Sequence, residues 1–142
     1  MALGLDDVLV GTWTDEGGHT GCTVVLPPEG SLGGVAVRGG APGTRECAAL
    51  GPTSSGVECH GVLLTGGSAF GLAAADGAVS WCESQGIGYD KGVARVPIVG
   101  AAIVFDLREA GAPRPGRDAG EAACAAATAD DPPMGRVGVG AG

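Results

Sequence analysis

The 142 residues suffice for one domain with a single core, and 44% hydrophobic against 17% charged residues excludes a disordered tail or a nucleic-acid arm. The formal net charge of −8 argues against DNA, RNA or an anionic membrane surface as the main partner. No apolar run reaches the roughly 18–20 residues that span a bilayer, and residues 1–10 carry two acids and no basic n-region, so the expectation is a cytoplasmic protein that is not exported and does not enter a membrane.

In chain order, Gly21–Leu26 (GCTVVL) and residues 33–38 (GGVAVR) read as two antiparallel strands joined by the PPEGS turn. Residues 39–46 (GGAPGTRE) are too rich in turn formers for any regular element. The run Gly61–Thr65 (GVLLT) predicts a buried strand stopped by Gly66 and Gly67. From Ser68 the period changes: Phe70, Ala74, Ala78, Trp81 and Cys82 fall at helical spacing, Ser68 stands where an N-cap belongs and Gly86 supplies the stop. Residues 96–107 (VPIVGAAIVFDL) predict one long extended or bulged buried strand with Pro97 at its start. A proline-rich loop at 112–116 precedes an Ala-rich helix over about residues 118–128, and residues 135–142 (GRVGVGAG) begin like a strand. Strands followed by alternating strand and helix predict an α/β layered domain.

With 29 glycines and only 4% aromatics, the core must be built from small side chains that let backbones approach closely. The five cysteines have no C-x-x-C pair, which predicts buried or half-buried free thiols in a reducing cytoplasm and neither a zinc site nor a disulfide framework. No metal or cofactor is expected. His19 and His60 are isolated, and the acid pairs Asp6-Asp7, Asp15-Glu16 and Asp130-Asp131 read as solvated faces. Asp76, in the middle of the apolar helix, either faces solvent or pairs with Arg38 or Arg45.

The turn Gly66-Gly67-Ser68-Ala69-Phe70-Gly71 invites comparison with the G-x-S-x-G nucleophile elbow, but position 70 is Phe70, and both histidines precede Ser68, against the chain order of that fold. It is neither G-x-G-x-x-G nor a P-loop. It offers backbone N–H groups at a helix start, suited to an anion or a developing oxyanion, or else an ordinary capped helix.

Together, RGGAPGTRE (38–46), LLTGGSAFGLAAADG (63–77), VPIVGAAIVFDL (96–107) and GRVGVGAG (135–142) resemble the P1 (S58, DmpA-like) family of peptidases, which includes aminopeptidases, D-amidases and nylon-oligomer hydrolases. The similarity runs in order from about Asp6 to Gly142. It implies an α/β chain forming part of an αββα sandwich of the DmpA and ornithine acetyltransferase type, incomplete at the C-terminus, with residues 1–142 as a single N-terminal domain.

The resemblance also implies an enzyme that cuts its own backbone before a Ser or Thr, which then attacks small peptides or amides. The family lysine and nucleophile lie beyond Gly142, so no catalytic residue is expected within this chain. Lys91 falls elsewhere. The expected partner is the remainder of the same precursor, in a homo-oligomer. Thr65, Gly66, Gly67 and Ser68 match a turn beside the active site and are candidates for oxyanion or substrate contacts. Phe105 matches a pocket-lining tyrosine of the nylon-oligomer branch, and Arg38, Gly39 and Gly40 match supports of the sandwich. The competing reading is a truncated homologue without catalysis, acting as a binding or regulatory module. An unpaired edge at 135–142 would be an aggregation liability for a lone domain and favours the first reading.

Overall fold

A computed structural model describes residues 4–5, 7–17 and 19–142. Asp6 and the first three residues of the 1–10 stretch lie outside the described residues.

Among the described residues, seven strands and two helices follow one another as β1 (Leu9–Thr14), β2 (Gly21–Leu26), β3 (Thr44–Arg45), β4 (Gly61–Thr65), α1 (Ala74–Ser84), β5 (Tyr89–Asp90), β6 (Arg95–Val96), β7 (Val99–Ile103) and α2 (Arg117–Ala125). Short 3-10 turns occupy Ser68–Ala73 and Gly138–Ala141. The main sheet has the order β1-β2-β4-β7-β3, in which only β4 and β7 are parallel. The expected α/β class holds: α1 is the crossover between the two parallel strands, and both helices pack on one face of the sheet.

Side-chain alternation decides that face. In β2, Cys22, Val24 and Leu26 point to the helices, as do Leu63 of β4 and Val99 and Ala101 of β7, and they meet Ala74, Ala75, Ala78 and Cys82 of α1 and Ala119, Ala123 and Cys124 of α2. A core this poor in large side chains gains contact by drawing backbones together. A Cβ on Gly77 would collide with the Arg117 carbonyl, and one on Gly120 with the Ala74 carbonyl, so the helices meet glycine to backbone. Helix α1 ends as the sequence indicates, with Gly86 at φ 74 and the Ile87 and Gly86 N–H groups returning to Cys82 and Glu83.

The structure corrects several expectations. Residues 33–38 form no strand. The partners of β2 are β1 and β4, so both its edges are taken; after a single bridge between Leu32 and Glu58 the 33–38 stretch runs over the open face of the sheet. The 39–46 loop does contain a regular piece, since Thr44 and Arg45 pair with Ala102 and Ala101. Ser68 is not an N-cap: Gly67 precedes the 3-10 turn at φ 81, no side chain caps it, and Ser68 is itself left-handed at φ 55. The 96–107 run is divided, because Pro97 has no N–H to give a ladder: β6 pairs with β5 in a separate ribbon and β7 begins at Val99. Residues 135–142 carry no strand. Gly138–Ala141 is instead a 3-10 turn laid on the face opposite the helices, with the Gly138 and Val139 N–H groups donated to the Thr14 and Thr23 hydroxyls.

The second helix starts at Arg117 and stops at Ala125, short of the expected Thr128, because Thr128 exchanges two backbone hydrogen bonds with Val10 at the sheet edge. Asp76, left open above, pairs with Arg45. All five cysteines are free, four of them buried and Cys47 half-buried.

Candidate functional site

Where β4 leaves the sheet, its backbone turns through Gly66, Gly67 and Ser68 into the 3-10 turn and then α1. Each glycine of GGSAFG answers a specific crowding. A Cβ on Gly66 would overlap the Asp106 carboxylate and the Thr20 hydroxyl, Gly67 needs its left-handed φ of 81, and a Cβ on Gly71 would overlap the Gly66 carbonyl. The motif is therefore a packing solution around Asp106 and Thr20, with Asp106 standing 39 positions from Gly67 and 86 from Thr20.

The segment that follows β7 lies along this turn. The Val104 N–H donates to the Thr65 carbonyl at 2.9 Å and the Ser68 N–H to the Val104 carbonyl at 3.1 Å. Two residues on, Asp106 accepts the Gly67 N–H at Oδ1 and the Thr20 hydroxyl at Oδ2, both at 2.6 Å. Phe105, between these anchors, is 76% exposed. The structure thus brings together all five residues singled out by sequence, Thr65, Gly66, Gly67, Ser68 and Phe105, although they come from two separate motifs.

Their availability differs. Thr65 is fully buried and gives its hydroxyl to the Gly66 carbonyl. The N–H groups of Gly66, Gly67 and Ser68 are engaged with Gly21, Asp106 and Val104, so donation to a substrate oxyanion requires one of these bonds to be given up. Ser68 is half-buried and Phe105 projects outward. A cavity of about 230 Å3 adjoins Asp106 and is lined besides by His19, Arg108, Glu109, Ala112 and Pro113. A larger one, about 360 Å3, lies on the open sheet face between Val62 and Leu64 and the 34–47 loop.

Sequence reasoning missed Asp106 and Thr20 as site residues. A lone carboxylate at the end of an apolar run was a usable signal for Asp106; Thr20, in the β1–β2 connection, carries none. No group of three or more potential metal ligands occurs among the described residues. The buried thiols of Cys22, Cys82 and Cys124 have their pKa pushed up by burial, to about 12, 11 and 12. They form part of the core beneath the sheet, and Cys22 gives its S–H to the Ala119 carbonyl.

The sequence pattern of peptidase family S58 matches residues 4–142. The chain belongs to peptidase family S58. Among curated relatives, an "uncharacterized aminopeptidase" of Mycobacterium tuberculosis is 53% identical over 123 residues, covering 84% of this chain and 35% of that protein. The 6-aminohexanoate-oligomer endohydrolases of Kocuria sp. and Agromyces sp. are 34% and 33% identical over 135 residues, covering 94% of this chain and 35% of each. The chain spans about 35% of the length of these relatives. No helix among the described residues is long and apolar enough to cross a membrane.

Proposed function

We propose that this S58 chain is the N-terminal portion of a self-processing Ser/Thr amidohydrolase or aminopeptidase that acts on small peptides or amides and is inactive without its C-terminal part. One observation carries the reading: the sheet is covered by helices on one face, while on the other Val62 and Leu64 of β4 stay 38% and 41% exposed. Adjoining large aliphatic side chains left exposed on a sheet face mark a surface that another element covers, and the chain matches about 35% of its relatives' length. The remaining segment of the precursor supplies the second sheet of an αββα sandwich and covers this face. It also carries the Ser or Thr nucleophile. Self-cleavage before that residue frees it; its hydroxyl then adds to the substrate carbonyl, the amine departs with a proton, and water hydrolyses the resulting ester. Here the 65–68 turn and Phe105 border the substrate. The complete protein is read as a cytoplasmic homo-oligomer.

The test is release of p-nitroaniline from small aminoacyl anilides by residues 1–142 alone and by the complete precursor, with the precursor's chain masses measured in parallel. Activity and two cleaved chains are expected only from the complete protein. Turnover by residues 1–142 alone that Ser68→Ala abolishes would refute the proposal.

A further inference from the structure

We infer that Asp106 is the positioning residue of this site, the carboxylate that fixes the 66–68 turn against the β1–β2 connection and the tail and thereby sets the geometry in which a substrate amide is held. The inference rests on the reading above that this turn borders the substrate.

Three observations converge on the carboxylate. Both of its oxygens are used, Oδ1 by the Gly67 N–H and Oδ2 by the Thr20 hydroxyl, each at 2.6 Å, and bonds to an ionised acceptor are about twice as strong as neutral ones. The surroundings are shaped to it: Thr20 is 1% exposed, and Gly66 has no room for a Cβ beside the two side chains. The tail also closes on it, for a Cβ on Gly142 would fall 2.5 Å from the Asp106 Cβ and 2.7 Å from Oδ2. One side chain therefore bonds two segments just past the paired ends of β2 and β4, where their ladder has run out, and the tail packs against it.

What it holds is a strained piece of backbone. Gly67 and Ser68 are consecutive left-handed residues, at φ 81 and 55, and Ser68 has a Cβ to accommodate there. Such conformations persist only where neighbours over-determine them. Asp106 grips the first of the pair, and Val104, two residues before it, grips the second. Loss of the carboxylate frees the turn to relax, and displacement of a site by about 1 Å is enough to cost roughly 100-fold in rate.

The test uses the complete protein, with the segment that its relatives have beyond the matched region, and compares Asp106→Ala, Asp106→Asn and Thr20→Val with the wild type. Asparagine keeps the geometry, since its oxygen accepts from Gly67 and its amide donates to a Thr20 hydroxyl that turns to accept. Alanine keeps neither bond. The expected result is kcat on an aminoacyl anilide reduced about 100-fold in Asp106→Ala with KM within about twofold, largely recovered in Asp106→Asn, and a Gly67 amide that exchanges with solvent rapidly in Asp106→Ala only. Should Asp106→Ala not accumulate folded, Thr20→Val removes one bond at nearly constant volume and is expected to lower kcat about tenfold. Rates per folded molecule within about twofold of wild type in Asp106→Ala, or in Thr20→Val where that variant stands in, overturn the inference, as does a Gly67 amide equally slow in wild type and Asp106→Ala. A complete wild-type protein without amidase activity sinks the proposed function instead, and Gly67 exchange then decides by itself whether Asp106 locks the turn.

Discussion

His60 accepts the backbone N–H of Ile98 at Nδ1, 3.0 Å away, at the point where the parallel pairing of β4 and β7 begins. The bond fits a neutral imidazole, because a protonated Nδ1 has no lone pair to offer. Burial lowers the pKa of His60 and outweighs the opposing pull of Glu58, whose Oε2 lies 3.6 Å from Nε2; the Tyr89 ring packs edge-on at 5.2 Å. The unfolded chain therefore takes up the proton first as pH falls. Stability associated with this group is fully present above about pH 6.5 and is lost as pH drops from there through the lower folded pKa. Denaturant midpoints measured from pH 8 to pH 5 should show this decline, and His60→Asn, which can accept from Ile98 without titrating, should flatten it. A slope unchanged in His60→Asn would assign the acid sensitivity to other groups.

The helix contact reverses the usual preference for alanine over glycine. Within a helix, alanine is ordinarily favoured by roughly 0.5–1 kcal/mol, but at Gly77 and Gly120 a new Cβ meets the backbone of the facing helix. Each substitution to Ala should instead destabilise by about 1–3 kcal/mol through forced separation of the helices. Thermal unfolding of the two variants checks this, and midpoints at or above the wild type would mean that α1 and α2 sit farther apart than described.

Ser68 holds a conformation that glycine adopts without strain. A left-handed non-glycine residue costs about 1–2 kcal/mol, against roughly 0.5–1 kcal/mol for glycine's extra chain entropy. Ser68→Gly should thus be neutral to about 1 kcal/mol more stable by denaturant midpoint, with Ser68→Ala no better than wild type. A clear loss of stability in Ser68→Gly would show that the serine hydroxyl, rather than backbone strain, governs this position.

Thiol reactivity should sort by burial. Cys22, Cys59, Cys82 and Cys124 are buried, and in Cys22, Cys82 and Cys124 burial also holds the pKa far above neutrality, while Cys47 is half-buried beside the open sheet face. Under native conditions at pH 8, Cys47 should be alkylated first, with Cys22, Cys82 and Cys124 modified only on unfolding. Peptide mass spectrometry of a time course reads the order directly. Early modification of Cys22 or Cys124 would indicate that the α2 layer opens in solution.

By itself the sequence determined those elements whose signal is local. The bounds of β2 and β4 follow from β-rich runs closed by Pro27-Pro28 and by Gly66-Gly67, and the end of α1 follows from Gly86. The four-motif resemblance determined the family, and it placed Thr65 to Ser68 and Phe105 in one neighbourhood. Tertiary structure alone decided what depends on partners. Strand β1 is one of these: its LVGTWT run carries a glycine, a residue depleted in strands, at Gly11, and that glycine is required because a Cβ would collide with the Ala123 carbonyl of α2. Residues 33–38 alternate like a strand but find both edges of β2 occupied. Asp106 gave only the signal of a charge ending an apolar run, because its meaning lies in Thr20 and Gly67, which reach it from 86 and 39 positions away. Local pattern fixes which backbone conformations a segment favours, whereas ladder partners and carboxylate ligands are set by contacts remote in sequence, on which no short window of residues reports.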